Sequence, residues 1–206
     1  LPWIVWSAIR YGKYCEGFAE KLLGRVPIRA GSRGCVWLHA VSVGEVNLLA
    51  KVIAELAQRR PDCEIVISTT TKTGFELARK KYAEHTVFYC PLDFTWATAA
   101  ACRRIRPDLL VLAELELWPT LIRAAKSHGA RVAVINGRLS DSSYRGYGRL
   151  RPVVSRILRQ IDLIAAHNSE TADRFRQLGA AGQRVHETGS VKFDGVQTDR
   201  ENSATI

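Results

Sequence analysis

The chain has 206 residues, of which 47% are hydrophobic and 24% charged, with a formal net charge of +10 at pH 7. That apolar content excludes a disordered tail, and the length suits one large domain or a domain with an appendage. The positive balance favours anionic partners such as nucleic acid, anionic lipid or phosphorylated substrates.

The five cysteines, Cys15, Cys35, Cys63, Cys90 and Cys102, form no CxxC pair, which argues against zinc and redox motifs and for reduced buried thiols. Leu1 opens the chain and methionine is absent, so a piece of a longer protein is expected.

The opening Leu1-Pro2-Trp3-Ile4-Val5-Trp6-Ser7-Ala8-Ile9 is strongly apolar, yet no stretch reaches the ~18 apolar residues of a spanning helix. Arg10, Lys13, Lys21 and Arg25 follow, interleaved with Tyr11, Tyr14, Phe18, Leu22 and Leu23. Aromatic and basic residues at helical spacing suit either a helix lying in a membrane interface or an amphipathic helix packed on the domain. Residues 1–30 are assigned to this helix and its linker, residues 31–194 to the main domain, and the polar residues 195–206 to a linker or cut end.

From Gly34 apolar strands alternate with amphipathic helices. The pattern predicts strands near Cys35–Val41, Glu64–Thr69, Thr86–Cys90, Leu109–Glu114, Arg131–Asn136, Leu163–His167 and Arg184–Thr188. Helices are predicted near Val46–Arg60, Thr73–Ala83, Trp96–Ile105, Pro119–His128, Tyr147–Gln160 and Glu170–Leu178. Continuous apolar runs such as Leu109-Leu110-Val111-Leu112-Ala113 are what strands buried on both faces of a parallel sheet require. The fold class is therefore α/β, a Rossmann-like doubly wound parallel sheet of about seven strands. Pro119 suits a first helical turn, and Gly129 and Gly179 suit positions just past helix ends.

The chain contains no G-x-G-x-x-G or G-x-x-x-x-G-K-[ST] pattern, so no dinucleotide or P-loop site is indicated. No HExxH or close His/Asp cluster argues for a metal. Polar groups instead gather where the carboxyl edge of the sheet is expected, the usual ligand edge of an open α/β sheet. Ser42, Gly44 and Glu45 follow the first strand, on a turn expected to need Gly44. The run Thr69-Thr70-Thr71-Lys72-Thr73-Gly74 follows the second, and Glu114 to Pro119, with Glu116 between, follow the fourth. Asn136, Arg138 and Ser140 follow the fifth strand, Asn168 to Glu170 the sixth, and Gly189 to Asp194, with Lys192, the last. Each has a plainer reading. Ser42-Val43-Gly44-Glu45 fits a helix capping box, the threonines fit β-propensity and capping, Glu116 can complement a helix dipole, and Lys192 can be an exposed lysine. Glu114 resists this, because a carboxylate ending an apolar strand is costly unless paired.

These stretches resemble the amino-terminal half of the bacterial Kdo (3-deoxy-D-manno-octulosonic acid) transferases. The resemblance rests on Arg10-Tyr11-Gly12-Lys13-Tyr14 with Glu20-Lys21-Leu22, Trp37 to Glu45, Thr69 to Gly74, Pro91-Leu92-Asp93, Glu114 to Pro119, Asn136 to Ser140 with Ser143, and Gly189 to Asp194, in the family's order. Thr120, Gly137 and Asn168 depart from the usual Asn, Ala and Gln. The resemblance implies the acceptor-binding half of a GT-B glycosyltransferase that moves Kdo from CMP-Kdo to a phosphorylated lipid A precursor. Inversion, no cofactor and no metal in the chemical step are implied with it, as are a membrane surface as partner and a place on the cytoplasmic face of the inner membrane. By motif position Glu45 would be the base, with Glu114 and Lys192 stabilising the transition state. Ser42, Gly44, Thr71, Lys72, Glu116, Arg138 and Ser140 would line the acceptor side. Arg138, Arg145, Arg149 and Arg151 are the expected phosphate or membrane contacts. The alternative is a basic, non-catalytic α/β module that binds anions such as nucleic acid. The aromatics lie mainly in the amino-terminal helix and in apolar strands rather than among clustered cations, so no nucleic-acid partner is expected.

Overall fold

A computed structural model describes residues 17–114 and 117–189. Expectations placed on residues 1–16, Glu116, Lys192 and 195–206 lie outside the described residues.

Seven parallel strands form one sheet: β1 (Cys35–His39), β2 (Glu64–Thr69), β3 (Thr86–Tyr89), β4 (Leu109–Ala113), β5 (Arg131–Gly137), β6 (Leu163–Ala166) and β7 (Val185–Glu187). Their spatial order is β3-β2-β1-β4-β5-β6-β7. The chain winds outward from β1 to β3, then crosses back to β4, so β1 and β4 flank the topological switch point where open α/β sheets bind ligands. The strand pattern read from the sequence is borne out to within two residues at each end.

The described helices are α1 (Phe18–Leu23), α2 (Val43–Arg59), α3 (Lys72–Lys81), α4 (Thr95–Ile105), α5 (Pro119–Ser127), α6 (Asp141–Arg149), α7 (Arg151–Leu158) and α8 (Ser169–Gln177). Alternation along β1 sends Trp37 to one face and Leu38 to the other. Trp37 joins Phe88, Leu112, Ile122, Leu158 and Phe175 in the larger core. Leu38 joins Val46, Leu49, Ile67 and Val111 in the smaller. Fully burying such a side chain contributes about 1.5–3 kcal/mol, which is why unbroken apolar runs dictate this architecture. Burial also pushes the Cys35 and Cys102 thiols up to about 12, so both are inert at neutral pH.

The single helix predicted over Tyr147–Gln160 is two. It breaks at Leu150, and Pro152 falls in the first turn of α7. Proline inside a continuous helix would lose one hydrogen bond and clash with the carbonyl four residues back, so the chain restarts instead. Gly129 and Gly179 adopt left-handed φ just past the ends of α5 and α8, as their positions predict.

The outer edge of β3 is closed by α1. The Tyr89 N–H donates to Glu20 Oε2 at 2.7 Å, and the Leu92 N–H to the Lys21 carbonyl at 2.7 Å. Gly17 enters this helix at φ 70°, where an added Cβ would lie 2.1 Å from the Tyr89 ring, so only glycine fits.

Candidate functional site at the carboxyl edge of the sheet

β1 ends at His39, and Ala40 and Val41 lead to Ser42, the N-cap of α2. The Ser42 hydroxyl accepts from the Glu45 N–H at 3.4 Å and donates to Glu45 Oε1 at 2.8 Å. Glu45 Oε2 accepts from the Val41 N–H at 2.8 Å. The capping box is therefore real, with the carboxylate reaching one residue further back than the usual partner. The Val41 carbonyl accepts from three hydroxyls, Thr69 Oγ1 (3.2 Å), Thr70 Oγ1 (3.3 Å) and Thr71 Oγ1 (3.1 Å). The Val41 residue is thus held on both its N–H and its C=O, and Glu45 stays 8% exposed at the switch point.

Gly44 corrects one expectation. It lies inside the first turn of α2 without a left-handed φ, and an added Cβ would meet only Ser42 Oγ, at 3.8 Å. The turn does not need glycine. Gly74, in the first turn of α3, differs: a Cβ there would lie 2.6 Å from Thr69 Oγ1 and 2.7 Å from Thr71 Oγ1. Thr71 is the N-cap of α3, its hydroxyl accepting from the Gly74 N–H at 3.1 Å, and Lys72 pairs with Glu76 at 3.9 Å on the exposed helix surface.

Glu114 follows β4, half-buried, at φ 57°. Its Oε1 accepts from Asn136 Nδ2 at 3.4 Å, and its N–H donates to the Ile135 carbonyl at 2.9 Å. Asn136 is fully buried, has φ 50°, and sits where the β5–β6 register slips between Val134 and Gly137. Left-handed φ at a non-glycine residue costs about 1–3 kcal/mol and concentrates at working sites. Bulges likewise gather there.

His39 is 2% exposed, with Nδ1 2.9 Å from Ser68 Oγ and its ring edge-to-face with Trp118 at 5.3 Å. Burial pushes its pKa down to about 4, against the opposing pull of Ser68, so it is neutral at pH 7. Four buried side-chain atoms among the described residues have no hydrogen-bond partner: His39 Nε2, Trp118 Nε1, Thr120 Oγ1 and Asn136 Oδ1. All belong to the carboxyl ends of β1 and β5 or to the start of α5.

The first amides of α5 are capped from a distance, with the Thr120 and Leu121 N–H groups donating to Asp93 at 3.1 and 2.9 Å. Ser140 caps α6 through the Ser143 N–H at 3.2 Å, and Arg138 is exposed at the end of β5. The sheet order thus puts Ser42, Gly44 and Glu45 beside Glu114 at the switch point, with Thr71 and Lys72 to one side and Arg138 and Ser140 to the other. His39, Trp118 and Asn136 join the site without having been assigned roles from sequence. A polar residue closing an apolar strand, as His39 and Asn136 do, was the available signal.

No group of three or more potential metal ligands converges among the described residues. No described helix is long and apolar enough to cross a membrane.

In solved structures the fold resembles UDP-GlcNAc 2-epimerase from Neisseria meningitidis (TM-score 0.56, 14% identity, 76% of this chain and 46% of that one). MnaA from S. aureus is similar (TM-score 0.57, 15% identity, 82% and 50%). At such identities the likeness concerns the fold alone. Among sequences, the chain is 32% identical over 200 residues to a 3-deoxy-D-manno-octulosonic acid transferase of Bordetella pertussis, covering 93% of this chain and 46% of the relative. It is 29% identical over 193 residues to the enzyme of that name from Chlamydia trachomatis, covering 93% and 45%. A Haemophilus influenzae relative of the same name is 31% identical over 160 residues, covering 77% and 38%. The chain spans less than half the length of these relatives. The family described as 3-deoxy-D-manno-octulosonic-acid transferase (kdotransferase) matches residues 16–195. With nearly nine-tenths of its length matched, the chain belongs to the Kdo transferase family.

Proposed function

We propose that the chain is the acceptor-binding half of an inverting, GT-B-type glycosyltransferase that moves Kdo from CMP-Kdo to a phosphorylated lipid A precursor, at the cytoplasmic face of the inner membrane. The observation that carries this reading is the anchoring of Glu45. Its carboxylate is buried at the switch point, and its position is set by Val41 N–H and Ser42 Oγ–H.

The acceptor hydroxyl oxygen attacks the anomeric carbon of Kdo. The bond to CMP breaks and CMP leaves with the electron pair, while the hydroxyl proton passes to Glu45. Glu114, oriented by Asn136, faces the same edge and stabilises charge developing on the sugar. Lys192 is assigned to the negative charge of the departing CMP or of the Kdo carboxylate, from its place in the family's motif. Ser42, Gly44, Thr71, Lys72, Glu116, Arg138 and Ser140 are assigned to the acceptor, whose phosphates suit the chain's positive charge. Donor contacts are assigned to a second domain beyond this half.

The test is transfer by the full-length enzyme from CMP-Kdo to the lipid A precursor, with the product's anomeric configuration read by NMR. Inverted product supports the reading; retained configuration, or transfer only to an unphosphorylated acceptor, overturns it. The 206-residue chain alone should bind the acceptor in a salt-sensitive way and transfer nothing, because positioning both reactants supplies much of such a rate.

A further inference from the structure

The four buried side-chain atoms without partners among the described residues, His39 Nε2, Trp118 Nε1, Thr120 Oγ1 and Asn136 Oδ1, gather over one face of the sheet. His39 continues the alternation that sends Trp37 into the larger core. Glu114 continues that of Leu110 and Leu112, and Asn136 that of Val132 and Val134. These three residues thus end the neighbouring strands β1, β4 and β5 on the same face. The Asn136 Nδ2–Glu114 Oε1 bond joins two of them at 3.4 Å, and the Trp118 ring meets His39 edge-to-face at 5.3 Å. Trp118 packs on the larger core from the start of α5, with Thr120 in the first turn behind it. The result is a polar roof over that core, adjoining Glu114.

The hydrogen-bonding character of each orphan follows from its surroundings. Trp37 Nε1–H donates to Ser68 Oγ at 2.7 Å, which leaves the Ser68 proton for His39 Nδ1 at 2.9 Å. The imidazole is neutral at pH 7 and then carries its hydrogen on Nε2, so this nitrogen is a donor. Trp118 Nε1–H is a donor, Asn136 Oδ1 an acceptor, and the Thr120 hydroxyl is both. None of the four is charged, and the charged group they adjoin is the Glu114 carboxylate. That set is wrong for a phosphate, which calls for cations. It suits hydroxyl groups, each of which donates and accepts. The indole adds an apolar face against which the C–H groups of a sugar ring can pack.

We propose that His39, Trp118, Thr120 and Asn136 form a subsite for the sugar ring of the acceptor, reached when the Trp118 and Thr120 side chains rotate. This rests on the functional reading above and deepens it: the phosphates are assigned to the basic rim, and the ring that carries them to these neutral groups. The four atoms are sealed from water, but Trp118, Thr120 and Glu114 are only half-buried, so the two rotating side chains lie on the accessible side of the roof. Each unmet hydrogen bond weakens the closed arrangement, and a sugar hydroxyl supplies what is missing. Because Asn136 also holds Glu114, a ring bonded to its Oδ1 lies against one of the two carboxylates proposed for the reaction.

The experiment titrates the full 206-residue chain, by NMR, with the deacylated, water-soluble lipid A headgroup, with and without its phosphates. Thr120→Val keeps the side-chain shape and deletes the hydroxyl, and Trp118→Phe keeps an aromatic ring and deletes the N–H. Each should weaken binding roughly two- to tenfold, the worth of one neutral hydrogen bond, for both headgroups alike and at low and high salt alike. Lys72→Ala and Arg138→Ala should weaken binding of the phosphorylated headgroup alone, and less so as salt rises. The melting temperature of Thr120→Val should hold or rise, since a buried hydroxyl without a partner is removed. The Trp118 indole N–H resonance should move on titration with the unphosphorylated headgroup. In the full-length enzyme both changes should raise the KM for acceptor by the same factors and alter kcat less. Unchanged binding by both variants overturns the proposal, because the roof then meets only internal water. A loss confined to the phosphorylated headgroup also overturns it. So does a lower melting temperature of Thr120→Val with a matching fall in kcat, which would make the roof structural. Headgroup binding weakened by both changes, with no Kdo transfer by the full-length enzyme to any lipid A acceptor, would leave the subsite standing and sink the functional reading.

Discussion

At the amino-terminal edge of the sheet, Arg29 is 8% exposed and makes four hydrogen bonds, with every nitrogen of its guanidinium engaged. It donates to the carbonyls of Ile105 (2.8 Å), Arg33 (2.7 Å) and Arg106 (3.2 Å) and to Glu64 Oε2 (3.3 Å). Nearby, Asp108 accepts from the Cys35 N–H at 2.7 Å, and Asp162 from the Val132 N–H at 2.8 Å and Lys126 at 2.7 Å. At the carboxyl edge, His39, Trp118, Thr120 and Asn136 bury polar atoms without partners, and Glu114 and Asn136 hold left-handed backbone. Each unpaired buried group costs about 1–3 kcal/mol. Left-handed backbone does not separate the edges, because Arg106 at the amino edge also has φ 53°; the unpaired buried side-chain atoms do, since among the described residues all four lie beside the carboxylates proposed for chemistry. Buried polarity that is fully bonded marks where this fold is secured; buried polarity left open marks where it is available to act.

The largest expected effect tests the carboxyl edge. Glu45→Gln in the full-length enzyme should lower turnover by roughly 10²–10⁴-fold. Glutamine also serves in a capping box, so the melting temperature should barely move. Near-normal turnover would reduce Glu45 to a cap and remove the functional meaning of the contrast.

At the opposite edge, Arg29→Met should cost about 3 kcal/mol of stability, since it strands three carbonyls and leaves Glu64 without its cation. Activity of the folded fraction should persist. Urea titration measures the loss, and a turnover defect in fully folded protein would show that the amino edge is not purely structural.

A pH series separates the edges further. The folded pKa of His39, about 4, lies below the ordinary 6.5, so the unfolded chain takes up the proton first on acidification. The stability tied to this neutral imidazole is complete above about 6.5 and is lost as pH falls toward 4, at most about 3 kcal/mol. His39→Gln should flatten the fall in melting temperature across that window. An unchanged slope would place the acid sensitivity elsewhere.

The smallest effect concerns Gly44. Alanine fits α2 there and should stabilise the fold by about 0.5–1 kcal/mol. If the acceptor packs against this turn, the same change raises the KM for acceptor. Higher stability with unchanged KM would free Gly44 from substrate contact.

The sheet was readable in the sequence because buried parallel strands demand unbroken apolar runs, as in Leu109–Ala113. The break between α6 and α7 was also written there, in Pro152, but the helical periodicity on either side masked it. Glu45 and Glu114 could be placed by strand order alone. The cap that Asp93 supplies to α5, the left-handed Glu114 and Asn136, and the meeting of His39 with Trp118 could not. The Asp93 cap and the His39–Trp118 contact join segments distant in sequence, which no local propensity encodes, and the left-handed Glu114 goes against its own propensity, although asparagine tolerates that region. Gly44 shows the converse: a glycine that looked like a turn requirement proved sterically unnecessary once the helix start was located.

The anchoring of Val41 has a consequence in time as well as in space. Its N–H ends on the Glu45 carboxylate rather than on a backbone carbonyl. Exchange of that proton with deuterium is therefore governed by rotation of one side chain, not by opening of the sheet or of α2. A single amide thus reports how long the carboxylate stays in place, on a clock separate from that of the surrounding fold.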